Sequence, residues 1–231
     1  MRKWRQFRAI EKGEFIVVGY DLAMGGEDYC AVQFLSKTKL DIPLVYHAKV
    51  LATEATNDIY PVLEKIFDTT GVKPIIAPER QGGGLFEAER LATLNRLNKF
   101  ELFKMPVSGR VDAPEAVRYG WDTNTSTRPK MLSDLKEAID KQLIKIYDEE
   151  TINELFSFIV VQTSSSWKAQ AEVGAHDDLI FAAAIAWQLQ QICNPITPKS
   201  EFRVYQGGDN VTGFGKTYKK HNEDVRFYKR R

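Results

Sequence analysis

Over the first fifty residues, apolar and polar positions alternate in runs too short for helices. "EFIVVGYDLA" (14–23), "YCAVQFLSK" (29–37) and "LVYHAKVL" (44–51) are rich in β-branched and aromatic residues, and "MGGED" and "TKLDIP" separate them with turn residues. Three consecutive antiparallel strands are expected. The period then lengthens: Ile59, Val62, Leu63, Ile66 and Phe67 recur at helical spacing in "TNDIYPVLEKIFDTTG", with Thr56 or Asn57 as N-cap and Gly71 as stop. "KPIIAPE" (73–79) reads as a short buried strand. "GLFEAERLATLNRLN" (84–98) reads as an amphipathic helix with Leu85, Ala88, Leu91 and Leu94 on one side, and "KFELFKM" (99–105) as another strand. Strands alternating with helices make this half an α/β sheet with crossovers.

From Pro106 to Pro129 the pattern dissolves into a loop rich in glycine, proline, threonine and arginine, and a loop this long inside a domain is usually functional. "KMLSDLKEAIDKQ" and "EETINELFSF" are helices around a short strand "LIKIY", and "IVVQTSSS" is extended. The last helix runs from about Asp178 to Ile192. Beyond Pro195 the chain turns polar, with nine Lys+Arg against four Asp+Glu over 195–231, an excess of +5 that reads as a basic tail.

Composition narrows the class. A chain of 231 residues with 43% apolar content has enough for one large core. The net charge of +1 argues against a global field, so any electrostatic footprint is local. Cys30 and Cys193 lack partners at metal or redox spacing and read as buried free thiols. No run resembles a signal peptide or a membrane span.

Three acidic positions stand out. Asp21 ends an apolar strand before Gly25–Gly26, where a turn aspartate accepting backbone hydrogen bonds is the plain alternative. Glu79 is likewise delivered by a short strand to "RQGGG", whose glycines allow another backbone to approach closely; a salt bridge with Arg80 is its plain alternative. Asp177 and Asp178 in "GAHDDLIFAAAIAW" open the last helix. One aspartate is explained as a cap, but two adjacent like charges call for a neutralising cation or basic group. Asp178 shares a helical face with Ala182, Ile185 or Ala186, and Leu189 and so points toward the sheet, whereas Asp177 lies about 100° round the helix. Hard oxygen ligands without a cysteine or histidine cluster select Mg²⁺ or Mn²⁺ over Zn²⁺. His176 reads as a supporting residue beside the acids. "NVTGFGKT" (210–217) imitates a phosphate loop but has Asn210 where the first glycine is required, and no strand or apolar helix frames it. An actin-like ATPase would need a second phosphate loop and an adenosine pocket, neither of which is evident.

"GYDLAMGGEDYCAV", "IIAPERQGGG", "YGWDTNTSTRPKMLSDL" and "GAHDDLIFAAAIAW", in this order, resemble the nuclease domain of the large terminase subunit of tailed bacteriophages. The resemblance spans roughly residues 14–193. It implies a ribonuclease H-like α/β fold, with a five-stranded mixed sheet whose first three strands are antiparallel, flanked by helices. It further implies a metal-dependent endonuclease that cuts concatemeric viral DNA during genome packaging, with catalytic acids falling on Asp21, Glu79 and Asp178. Asp177 would be an additional metal ligand and His176 would support the set. Two Mg²⁺ or Mn²⁺ ions ~4 Å apart would serve phosphodiester hydrolysis. Double-stranded DNA would be held through its phosphates, with little sequence specificity, by Arg80, Arg110, Arg118, Arg128, Lys130 and Lys168. The family context adds a packaging ATPase domain, the small terminase subunit and the portal as partners, in the host-cell cytoplasm and away from membranes.

The domain reading is residues 1–13 as a linker remnant, 14–194 as the nuclease domain and 195–231 as the tail. The ATPase that family members carry ahead of this domain is not in this sequence, which reads as an isolated nuclease domain or a shorter relative. A resolvase or transposase would share the acids but demand branched or specific DNA. A catalytically silent DNA-binding packaging module would keep the fold without cleavage.

Overall fold

The computed structural model describes residues 3–23, 28–81, 83–106, 117–162, 167–171 and 176–195. After a short strand β1 (Trp4–Gln6), the three alternating runs form β2 (Ile16–Asp21), β3 (Cys30–Ser36) and β4 (Asp41–Ala48), with β2–β3 and β3–β4 antiparallel as expected. Helix α1 (Ala52–Thr70) leads to β5 (Ile75–Pro78), and α2 (Gly84–Leu94) to β6 (Glu101–Leu102). Each crossover lays the new strand parallel to its neighbour, β5 on β2 and β6 on β5. Strands β7 (Lys104–Pro106) and β8 (Val117–Tyr119) form a separate antiparallel pair. Then come α3 (Thr127–Asp140), β9 (Lys145–Ile146), α4 (Glu149–Ser157), the antiparallel pair β10 (Phe158–Gln162) and β11 (Trp167–Ala171), and α5 (Asp178–Ile192).

The main sheet has seven strands in the order β1-β4-β3-β2-β5-β6, with β9 also on β4, rather than the expected five. The additional members, β1 and β9, are edge strands of three and two residues; β9 lies within the "LIKIY" run read as a strand, and β1 is too short to display a period. One of them, β1, comes from the segment read as a linker and pairs Trp4 with Tyr46. Helix α1 begins at Ala52, not at Thr56 or Asn57, and Leu51 precedes it without a side-chain cap. Thr56 is instead buried in the second turn, its hydroxyl 3.4 Å from that of Tyr20. Gly71 closes the helix as expected, in the left-handed conformation at φ 72°. Helix α2 stops at Leu94 because the Asn95 side chain turns the chain, accepting from the Lys99 N–H at 2.9 Å and donating to the Phe100 carbonyl at 2.7 Å. Helix α3 starts three residues before Lys130. Asn124 Oδ1 accepts from the Ser126 and Thr127 N–H groups at 2.9 and 3.0 Å, and Pro129 fits the first turn.

The sheet carries a core on each face. Ile16, Val18 and Tyr20 pack with Ile59, Leu63 and Leu91 of α1 and α2, whereas Val17, Ala31, Val45, Ile75 and Ala77 pack against α3 and α5. Helix α5 is buried from Asp178 to Leu189, all round rather than along one stripe, because the sheet lies on one side of it and α3 and α4 on others. Cys30 and Cys193 are buried free thiols. No helix among the described residues is long and apolar enough to cross a membrane.

Candidate active site

Strand alternation decides where the acids point. On β2, Val17 and Gly19 face α5, so Asp21, two residues further, faces it too; on β5, Ile75 and Ala77 do, and Glu79 continues that face. The parallel register pairs Tyr20 with Pro78, and the Glu79 N–H donates to the Tyr20 carbonyl at 2.8 Å, which sets Asp21 beside Glu79 at the carboxyl ends of two adjacent strands. Of the glycines after Glu79, Gly84 acts as expected: a β-carbon on it would lie 1.5 Å from the Glu79 carbonyl oxygen, so only glycine lets α2 start there.

Helix α5 brings the third acid. A β-carbon on Gly19 would lie 2.0 Å from the Ala182 carbonyl oxygen, and this backbone-to-backbone approach sets the second turn of α5 against β2, one turn after Asp178. Asp178 is 7% exposed and Asp177 half-buried. Burial holds the Asp21 carboxyl well above the usual carboxylate range, and Glu79, Asp178 and Asp177 push it further. Asp178 is pushed up to about 8, first by burial and then by Asp28, Glu154 and Asp177. These acids therefore share one field, and Asp178 Oδ2 is buried without a hydrogen-bond partner.

Three participants escaped the sequence reading. Asp28 and His176 group with Asp178, and so do His47 and Glu154, with ligand atoms in each trio within 4.8 Å of one another. Glu154 Oε2 accepts from the Leu179 and Ile180 N–H groups at 3.0 and 3.3 Å. It thus caps α5 from a neighbouring helix, whereas the N-cap residue Asp177 makes no side-chain cap bond. Burial raises Glu154 to about 7 in spite of those two N–H bonds, with Asp177 and Asp148 adding to the shift. His176 is exposed, its Nδ1 3.6 Å from Asp178 Oδ2 and its ring edge-on to Tyr29. His47 lay within a correctly read strand, and its inward parity was the available signal. Nothing in the local spacing marks Glu154.

The basic residues divide. The Arg80 guanidinium donates to the carbonyls of Met105, Arg118 and Tyr119 at 2.6, 2.6 and 3.1 Å, so it clamps the β7–β8 pair to the end of β5. Arg128 lies over the Phe181 ring at 4.2 Å, with Nη2 3.8 Å from Asp177 Oδ2. Lys130 pairs with Asp134 one turn on, and Arg118 is exposed. Arg110, the Lys168 side chain and the tail from residue 196 lie outside the described residues.

The donor set fits a divalent cation, since clustered carboxylates, one with an orphaned buried oxygen, are otherwise left in mutual repulsion. Among solved structures, the large terminase nuclease of thermophilic phage G20c with bound cobalt superposes with a TM-score of 0.58 at 17% identity, covering 81% of this chain and 88% of that one. The chain has the fold of the large terminase nucleases. The same phage protein with bound magnesium gives 0.58 at 15% identity over 81% of this chain and 88% of that one. The nuclease domain of the large terminase subunit of bacterial virus Sf6 gives 0.51 at 13% identity over 77% and 89%. At these identities the likeness is one of ribonuclease H-like architecture. No protein-family model and no curated protein matches the chain.

Proposed function

We propose that the chain is a divalent-metal-dependent endodeoxyribonuclease that cuts viral DNA during genome packaging, with Asp21, Glu79 and Asp178 as the metal-holding acids. The observation that supports this reading is Asp21 and Glu79 at the ends of adjacent strands on the α5 side of a terminase-nuclease fold, where the charges of Glu79 and Asp178 both act on Asp21 and Asp178 Oδ2 is buried and unpartnered. Among the described residues the groups at ligand distance are Asp28–His176–Asp178 and His47–Glu154–Asp178, and neither includes Asp21 or Glu79. The related phage nuclease has been crystallised with magnesium and with cobalt, in keeping with an oxygen-rich site. Bound Mg²⁺ or Mn²⁺ supplies Lewis-acid activation of water and charge neutralisation at the scissile phosphate.

The chain's own residues do the rest. Asp21 and Glu79 are positioned by the β2–β5 register, and Asp178 by the Gly19 contact and the Glu154 cap. Asp177 adds charge beside them, and Arg128 bears on Asp177 from α3. Arg118 and Lys130 are exposed cations suited to sequence-independent phosphate contacts, and the basic tail would add to them. In a packaging setting the partners would be double-stranded DNA, an ATPase domain, the small terminase subunit and the portal, in the host-cell cytoplasm.

The test is incubation of the purified chain with supercoiled plasmid under Mg²⁺, Mn²⁺ and EDTA, beside Asp21→Ala and Asp178→Ala. Metal-dependent nicking by the parent and none by either variant is expected. Activity that survives EDTA, or equal nicking by the variants, would sink the reading. Cleavage confined to branched substrates would instead point to a resolvase.

A further inference from the structure

We propose that His47, Glu154 and Asp178 form a second, enclosed cation site containing a nitrogen ligand, displaced along the sheet from Asp21 and Glu79 toward β4. Strand alternation gives the first ground. Val45 of β4 packs on the α5 side, so His47 faces α5 as well, and the register sets it opposite Ala31, which belongs to the same core.

Hydrogen bonding gives the second. His47 Nδ1 lies 3.0 Å from Glu150 Oε2, whose other neighbour is Arg5 Nη1 at 2.8 Å. Nδ1 therefore carries the proton and donates to the carboxylate, which leaves the Nε2 lone pair facing inward. His47 is 6% exposed, and among the described residues neither its buried Nε2 nor the buried Asp178 Oδ2 has a hydrogen-bond partner. Two unpartnered buried acceptors beside a second carboxylate, with ligand atoms within 4.8 Å of one another, suit a cation better than they suit each other.

The surroundings are those of a built site. Histidines that ligate metals commonly donate their other nitrogen to a carboxylate, the role Glu150 has here. Glu154 is immobilised by the Leu179 and Ile180 N–H groups, and Tyr29 lays its ring against the imidazole at 4.6 Å. One imidazole with two carboxylates favours Mn²⁺, Co²⁺ or Zn²⁺ over Mg²⁺. A cation here ties β4, α4 and α5 together and orients Asp178 from behind. The proposal shares that residue with the acidic site and rests on its reading as a ligand.

The experiment is Mn²⁺ titration of the whole chain followed by pulsed electron paramagnetic resonance, in which an imidazole nitrogen on the ion is visible directly. The parent, Asp21→Ala and His176→Ala are expected to show nitrogen-coupled Mn²⁺. His47→Gln is expected to lose the coupling and bind at least about 10-fold more weakly. Oxygen-only coordination in the parent, or nitrogen coupling that persists in His47→Gln, overturns the proposal. If His47→Gln does not fold, Glu150→Gln serves: Mn²⁺ affinity lowered roughly 10-fold supports the site, and unchanged affinity overturns it. Oxygen-only Mn²⁺ together with Asp21-dependent cleavage removes this site and keeps the nuclease reading. Nitrogen-coupled Mn²⁺ with cleavage indifferent to Asp21 does the reverse.

Discussion

A β-carbon on Gly19 would lie 2.0 Å from the carbonyl oxygen of Ala182, so strand β2 and helix α5 touch backbone to backbone two residues before Asp21 and one turn after Asp178. This contact fixes the distance between two of the proposed ligands. Gly19→Ala is expected to push α5 outward, with a stability loss of roughly 1–3 kcal/mol or more, as overpacking a dense core does. Cleavage should fall further than the folded fraction does. Denaturant unfolding beside nicking assays checks this, and a variant normal in both would show that the close approach does not set the site.

On the proposed reading Asp178 serves cleavage at a cost to the metal-free fold. Asp178→Asn keeps the side-chain volume and removes a buried charge that sits among Asp28, Glu154 and Asp177. The expected outcome has opposite signs: cleavage abolished, melting temperature in EDTA at pH 8.5 raised by a few degrees. A lowered melting temperature would mean that Asp178 stabilises the fold mainly as a helix-end charge.

Much of this was legible from the chain. The three antiparallel strands, both crossovers and the bounds of α5 follow from period and punctuation. The placement of Asp21, Glu79 and Asp178 at element ends was legible too, and their role as metal-holding acids is the proposal made above. Edge strand β1 was not legible, because three residues display no period; β9 was read as a strand within "LIKIY", but nothing local says that it joins the main sheet beside β4. Glu154 was not, because its carboxylate reaches α5 across 25 residues of sequence and no spacing rule encodes that. His47 was half-legible: the alternation of β4 points it inward, but only the register with β3 shows that it faces the acids and not the α1 side.

Stability of the metal-free protein should rise on mild acidification. Asp178 at about 8 and Glu154 at about 7 lie above their ordinary values of 3.8 and 4.5, so the folded chain holds protons that the unfolded chain releases. That contribution is complete below the unfolded values and is lost as pH rises through 7 and 8. Glu14 works in the other direction: burial opposes its ionisation, but Arg8 and Ser36 hold it at about 2, so its contribution fades only as pH falls below the ordinary carboxylate range. A melting temperature in EDTA that climbs from pH 8.5 to about 5.5 is therefore expected. Saturating Mn²⁺ should flatten the profile by taking the protons' place. A flat profile in EDTA would contradict the crowding of these acids.

Arg80 is held by the fold and Arg118 is exposed, so the two separate a structural cation from a proposed phosphate contact. Arg80 spends its guanidinium on three carbonyls across the β7–β8 pair, whereas Arg118, which contributes one of them, is itself exposed. Charge-assisted hydrogen bonds of this kind contribute on the order of 1.5–3 kcal/mol each, and their loss strands acceptors next to Glu79. Arg80→Ala should thus lower the melting temperature while leaving the dependence of DNA affinity on salt unchanged. Arg118→Ala should do the opposite: unfolding stays put, and the slope of log affinity against log salt shrinks by about 0.9, the signature of one lost phosphate contact. Fluorescence anisotropy with a non-specific duplex at several salt concentrations, in Ca²⁺ to prevent cutting, measures the slopes. If Arg80→Ala reduces the slope with no loss of stability, its guanidinium leaves the carbonyls for phosphate when DNA binds.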